Sequence, residues 1–298
     1  VNYRSYADEA IGCVKTGDMS QDGRLMLLGD WAPGSSNTKW HGATRTSDFM
    51  PGHHRAFLDA TSDPVWTTLL NYTYELVAAV QHPSTGLLPD FVADADSTST
   101  AQPVPPGFLE SENDGKYYWN ACRDPMRLGI DCITSTDTAA CTAAMTKLNT
   151  WVRGSTSGNA AQIKAGYNLD GTPVDGSGHE TMAFVSPFGV AAMVPGGNQA
   201  WLDAIWARTT AASIETYYED TIKMMSMLMM SGNWWLPHTV HGITLSPTNT
   251  GQTWSPTPNP SLAPTPGPTP SPTVRPTELG ETWSPTPAPS SAPSSAPT

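Results

Sequence analysis

The sequence predicts an all-α fold with long, elaborate loops. Apolar residues recur at helical spacing through several windows. No stretch of strand length alternates apolar and polar residues. Long irregular segments at 29–47, 83–116 and 153–186 separate the helical windows, and loops of that length in a folded domain usually carry function.

Tyr6, Ala10, Ile11 and Val14 give a first helix over Tyr3 to Lys15. Ser62-Asp63-Pro64 is a helix start, with Pro in the first turn, where its missing N–H costs nothing. Trp66, Leu69, Leu70, Thr73, Tyr74, Val77 and Val80 line the face that follows, until His82-Pro83 stops it. Further helices are predicted over Tyr118 to Ile133, Thr138 to Trp151, Asn198 to Arg208 and Ala211 to Met230. The last, crowded with Met224, Met225, Met227, Met229 and Met230, is apolar nearly all round, which predicts a helix inside a helical layer.

Composition divides the 298 residues. Fifteen of the 28 prolines fall between Ser246 and Thr298, so 1–245 reads as the folded domain and 246–298 as a Pro/Thr/Ser-rich linker or stalk. Such a segment cannot bury a core and is expected to be disordered, extended and suited to O-glycosylation. Gly251-Gln-Thr-Trp-Ser-Pro-Thr-Pro258 recurs in it as Gly280-Glu-Thr-Trp-Ser-Pro-Thr-Pro287. Tails of this kind are commonest in secreted carbohydrate-active enzymes, where they tether a carbohydrate-binding module or the cell wall. Asn71-Tyr72-Thr73 is a glycosylation sequon.

Several function classes are disfavoured. Lys plus Arg is 15 against 27 Asp plus Glu, a net charge of −12 that repels nucleic acid. No apolar run reaches the ~18 residues of a membrane span. The four cysteines lack metal-ligand spacing, His53-His54 is not at i, i+4, and no cofactor motif stands out, so neither a metal nor a cofactor is expected. Cys132 and Cys141 flank a short connection between two predicted antiparallel helices, which predicts a disulfide in an oxidising compartment. Cys13 and Cys122 are expected to be free and buried.

Eleven tryptophans are the strongest compositional clue to a substrate, because indole faces stack on the C–H faces of sugars. Trp66, Trp151 and Trp201 sit on amphipathic faces and read as core. Trp31 and Trp40, in a Gly- and Ser-rich loop, are candidates for a cleft. The segment from Glu110 to Arg123 gathers carboxylates, aromatics, an amide and an arginine at a loop-to-helix junction. It suits glycoside hydrolysis, which needs carboxylates on opposite faces of a sugar. It equally suits a solvated acidic loop feeding a helix N-terminus.

Tyr118-Trp119-Asn120-Ala121-Cys122-Arg123-Asp124-Pro125-Met126-Arg127-Leu128-Gly129-Ile130-Asp131 resembles the signature helix of family 8 glycoside hydrolases, the endoglucanase, xylanase and chitosanase family. Thr46 to Phe57, Gly86-Leu-Leu-Pro-Asp90, and Tyr217 to Thr221 with Ser231 to Trp235 resemble other family segments in the same order. The resemblance runs over about 3 to 237. It implies an (α/α)6 toroid, a long cleft and inverting hydrolysis of a β-1,4-linked polysaccharide, with Tyr118, Trp119, Asn120, Arg123, Tyr217 and Tyr218 among the substrate-binding residues. The family's acid-bearing Ser-Glu-x-x-x-Tyr-Gly-like motif does not occur here. The chain therefore reads as a toroid incomplete at its N-terminus, with its general acid upstream.

Asn120 stands where the family's largest subgroup carries its Asp base, and an amide cannot accept that proton. Asp48, where that subgroup has a water-binding tyrosine, is the first candidate for the base; Asp114 and Glu112 follow. Arg123 would brace the base or the sugar. The expectation is a secreted endo-β-1,4-glucanase-like enzyme, inactive in this fragment alone. The alternatives are a non-catalytic polysaccharide-binding or wall protein and, further off, another toroid enzyme such as a polysaccharide lyase.

Overall fold

A computed structural model describes residues 3–194 and 196–234. Its helices are α1 (Tyr3–Gly17), α2 (Pro51–Thr61), α3 (Val65–Val80), α4 (Asp124–Thr134), α5 (Ala139–Ser155), α6 (Met182–Ala192), α7 (Gln199–Ala211) and α8 (Tyr217–Met230). Helices α2, α4, α6 and α8 pack in succession as an inner row, and α3, α5 and α7 pair with them on the outside. This alternation of inner and outer helices is that of an (α/α)6 toroid. The predicted tail, with Trp254 and Trp283, and the domain boundary at 245 lie outside the described residues.

Local chemistry accounts for most boundaries. Asp63 Oδ1 accepts from the amide of Val65, the first residue of α3, at 3.0 Å. Asn198 Oδ1 does the same for Trp201 at the start of α7. Helix α2 takes Pro51 in its first turn. The signature segment divides into a short 3-10 turn, Ala121–Arg123, and α4 beyond it.

Several expectations needed correction. The most enclosed helix is α6, every residue of which is buried. Its residues are apolar all round, so no amphipathic stripe marked it, and its first turn falls inside a segment read as loop. Helix α8 begins only at Tyr217, after extended backbone at Ala212, and it leaves Met224 and Leu228 exposed. A small antiparallel sheet also forms: β1 (Thr44–Arg45), β2 (Phe91–Ala93) and β3 (Gln102–Pro103), in the order β1-β2-β3. Strands of two or three residues are too short to show alternation.

An ion pair within the inner row is tied to the outer helices by a tyrosine. Asp131 of α4, fully buried, accepts from Arg55 Nε of α2 at 2.7 Å and from the Tyr74 hydroxyl of α3 at 2.6 Å. The Cys132–Cys141 disulfide links α4 to α5 across a Cα separation of 5.6 Å. Cys122 is buried and free, whereas Cys13 is free but exposed, contrary to expectation, because α1 buries only Ile11.

Candidate active site

The sheet delivers the first half of the site. Thr44 pairs with Val92 and Arg45 with Phe91, and the amide of Thr46 donates to Asp90 O at 3.2 Å. The chain from Arg45 to Asp48 is thereby fixed beside Asp90. The second half is the 118–123 turn, which leads into α4. Ser47 joins the halves by accepting from Arg123 Nη2 at 2.9 Å.

A polar cluster occupies the junction. Asn120 Nδ2 donates to Glu110 Oε2 at 2.8 Å, and Asn120 Oδ1 accepts from Arg123 Nη2 at 2.9 Å. Arg45 Nη2 donates to Glu110 Oε1 at 2.8 Å, while its Nη1 lies 3.6 Å from Asp48 Oδ2. Arg127 approaches the other Asp48 oxygen at 3.7 Å. Arg45 thus spans two carboxylates, Asp48 with a side chain 30% exposed and Glu110 at 46%. Burial pushes the Asp48 carboxyl up, against the pull of Arg45, Arg127 and Arg123. Burial lowers the Arg127 guanidinium, and neighbouring Arg123 adds to this.

Two more carboxylates lie beneath. Asp90 Oδ1 accepts from the amides of Tyr118 at 2.9 Å and Ala121 at 2.7 Å, and its Oδ2 faces Asn120 Nδ2 at 3.4 Å. Burial pushes its carboxyl up to about 7, although these donors favour the ionised form. Asp124 is wholly enclosed, and neither oxygen has a hydrogen-bond partner. Neighbouring Thr46 spends its hydroxyl proton on Pro89 O at 2.7 Å. Burial therefore drives the Asp124 carboxyl far up.

Aromatic side chains wall the cluster. Trp119 meets Phe184 edge to face at 5.1 Å and Tyr218 at 5.9 Å. Arg123 lies over the Tyr218 ring at 5.9 Å, and the Tyr218 hydroxyl donates to Trp119 O. Arg45 covers Phe91 at 5.0 Å. Phe91 belongs to a smaller apolar cluster with Leu28, Ala32 and Phe108, against which Trp40 packs. Trp31, 44% exposed, meets Trp40 edge to face at 5.2 Å, so the two predicted cleft tryptophans form a pair beside the cluster that holds Phe91.

The other sequence candidates fall as follows. Asp48, Asn120, Arg123, Trp119 and Tyr218 come together, with Tyr118 beside them on the turn. Tyr217 is almost fully exposed at the start of α8. Asp114 is buried inside the 109–114 loop: Oδ2 accepts from the amides of Leu109 and Glu110, and Oδ1 from the amide and hydroxyl of Ser111. All four of its lone-pair positions are used, so it has no site left for a water. Glu112 is exposed on the same loop and Asn71 on α3. Arg45 was not singled out from sequence, Asp90 entered only as the end of the Gly86–Asp90 segment, and Glu110 only as one acid of the Glu110–Arg123 segment. Their roles depend on contacts across 65, 10 and about 30 residues of chain, which no local motif records. Among the described residues no group of His, Cys, Asp and Glu is placed to hold a metal ion, and no helix is long and apolar enough to cross a membrane.

The family model for glycosyl hydrolases family 8 matches residues 3–232. A β-glucanase of Niallia circulans is 42% identical over 238 residues, which cover 79% of this chain and 56% of that protein. An endoglucanase of Bacillus sp. (strain KSM-330) is 33% identical, covering 80% and 49%. The chain thus spans about half the length of these curated relatives. The apo structure of a β-1,3-1,4-glucanase from Paenibacillus sp. X4 superimposes with a TM-score of 0.74 at 39% identity, over 79% of this chain and 61% of that one. A xylobiose complex of a family 8 protein from Teredinibacter turnerae shares the fold, with a TM-score of 0.65 at 16% identity. The chain belongs to glycosyl hydrolases family 8.

Proposed function

We propose that this chain is part of a secreted enzyme that hydrolyses internal β-1,4 bonds of a β-glucan with inversion. The observation that carries the proposal is the Glu110–Asn120–Arg123 cluster, set in a chain 42% identical to a β-glucanase. An inverting base must hold a water beneath the anomeric carbon, about 6.5–9.5 Å from the acid. Asn120 cannot be that base. In our reading it acts as a bracket, with its amide N–H holding a carboxylate and its carbonyl holding Arg123.

Glu110 is the carboxylate so held. Each of its oxygens accepts one hydrogen bond, which leaves a lone pair on each for a water. Its partial exposure gives a substrate access. Asp48 keeps its place as the second candidate. It lies between two arginines and makes no contact with Asn120, so we assign it to holding Arg45 and Arg127 in place. Protonation of the leaving oxygen is assigned to residues outside these 298, a reading supported by the matched segment being only about half of each relative's length. The Trp31–Trp40 pair, Trp119 and Tyr218 would stack on sugar rings, and residues 246–298 would form a tether.

The test uses the full polypeptide on mixed-linkage β-glucan. A rapid fall in viscosity, with the α-anomer seen first by proton NMR, is the expected result. A β-anomer first product would overturn inversion. Retention on the polymer without cleavage would instead support a non-catalytic polysaccharide-binding protein.

A further inference from the structure

We propose that Asp90 is a positioning residue for the hydrolysis inferred above, on which this proposal rests: its buried carboxylate sets the orientation of Asn120 and, through it, of Glu110. Asp90 is 2% exposed and cannot touch a substrate. Its backbone is pinned on both sides, with its amide donating to Lys116 O at 2.7 Å and its carbonyl accepting from Thr46. The carboxylate then does two separable things. Oδ1 gathers the amides of Tyr118 and Ala121 and so shapes the turn that carries Asn120. Oδ2 faces the Asn120 amide nitrogen, whose other hydrogen goes to Glu110.

With a carboxylate on each side of Nδ2 and Arg123 on Oδ1, only one orientation of the amide satisfies every partner. Among the described residues no cationic side chain hydrogen-bonds to Asp90, so the carboxylate is kept at a desolvation cost that burial imposes and the N–H donors of Tyr118, Asn120 and Ala121 offset. An asparagine at position 90 could retain both backbone contacts through its oxygen. Its own amide nitrogen would then face that of Asn120, two donors in opposition. Asn120 would turn, and Glu110 would lose its bracket while the turn itself stayed folded.

The experiment compares Asp90→Asn, Asp90→Ala and the unsubstituted full polypeptide by kcat and KM on β-glucan and by thermal melting. For Asp90→Asn we expect kcat to fall about 10-fold or more with KM within roughly 3-fold. Its melting temperature should stay within about 2 °C of the parent. Asp90→Ala should lose both turnover and stability. Parental kcat in Asp90→Asn would overturn the proposal. So would a parallel loss of kcat, KM and melting temperature in both variants, which would mark a purely structural residue. Absence of turnover in the unsubstituted protein would instead overturn the hydrolase reading, and this proposal with it.

Discussion

Asn120 Nδ2 donates to Glu110 Oε2 at 2.8 Å, so the amide at this turn stands in contact with a carboxylate supplied by the preceding loop. The pair explains how an asparagine can occupy the position without emptying the site of acidic chemistry. Asn120→Asp would place a third carboxylate against Asp90 and Glu110, and like charges at that range disfavour ionisation. The acidic limb of the kcat–pH profile should move to higher pH. An unmoved limb would show that neither neighbour is kinetically relevant.

The Arg55–Asp131–Tyr74 network should dominate the stability of the inner row. Arg55→Met leaves the Asp131 carboxylate buried with the Tyr74 hydroxyl but without its cation, at an expected cost of about 3–5 kcal/mol. Asp131→Asn with Arg55→Met together should recover part of that loss. Urea melts of the parent and both variants check both statements.

His54 makes stability depend on acid. It is buried against Trp66, with rings 6.0 Å apart, and burial, His53 and Arg127 lower its pKa to about 3. Since the folded value lies below the unfolded one, the contribution is complete above about 6.5. It is lost as pH falls toward 3, at roughly 1 kcal/mol per pH unit. The stability difference between the parent and His54→Leu should shrink over that window. A pH-independent difference would mean that His54 binds its proton equally well in the folded and unfolded states, so that burial does not lower it.

Gly86 is required by its surroundings. It turns the chain at φ +77°, and an added Cβ would lie 2.7 Å from the backbone nitrogen of Leu148 on α5. Gly86→Ala should therefore cost about 1–3 kcal/mol and loosen the segment leading to Asp90. Loss of hydrogen-exchange protection at Tyr118 and Ala121 would report that loosening.

The sequence was informative where a signal is local. Helix periodicity placed six of the helices, and the run from Tyr118 to Asp131 pointed to the turn that carries Asn120 and Arg123. Helix α6 was hidden because burial on every face erases the stripe that marks a surface helix. The β1-β2-β3 sheet was hidden because two-residue strands carry no pattern. The site was half legible: Asp48, Asn120, Arg123, Trp119 and Tyr218 were chosen by residue type and resemblance. Glu110 was passed over as one acid among several in a polar loop. What distinguishes it from Asp114 is the number of lone pairs left unused, and that depends on where the 109–114 backbone folds.

The assignment of the base is tested most directly by measuring kcat for Glu110→Gln and Asp48→Asn in the full polypeptide on β-glucan. Glu110→Gln should lower kcat by about 100-fold or more with KM little changed, and Asp48→Asn should lower it substantially less. Near-parental turnover in Glu110→Gln, with Asp48→Asn inactive, would contradict the account and return the base to Asp48.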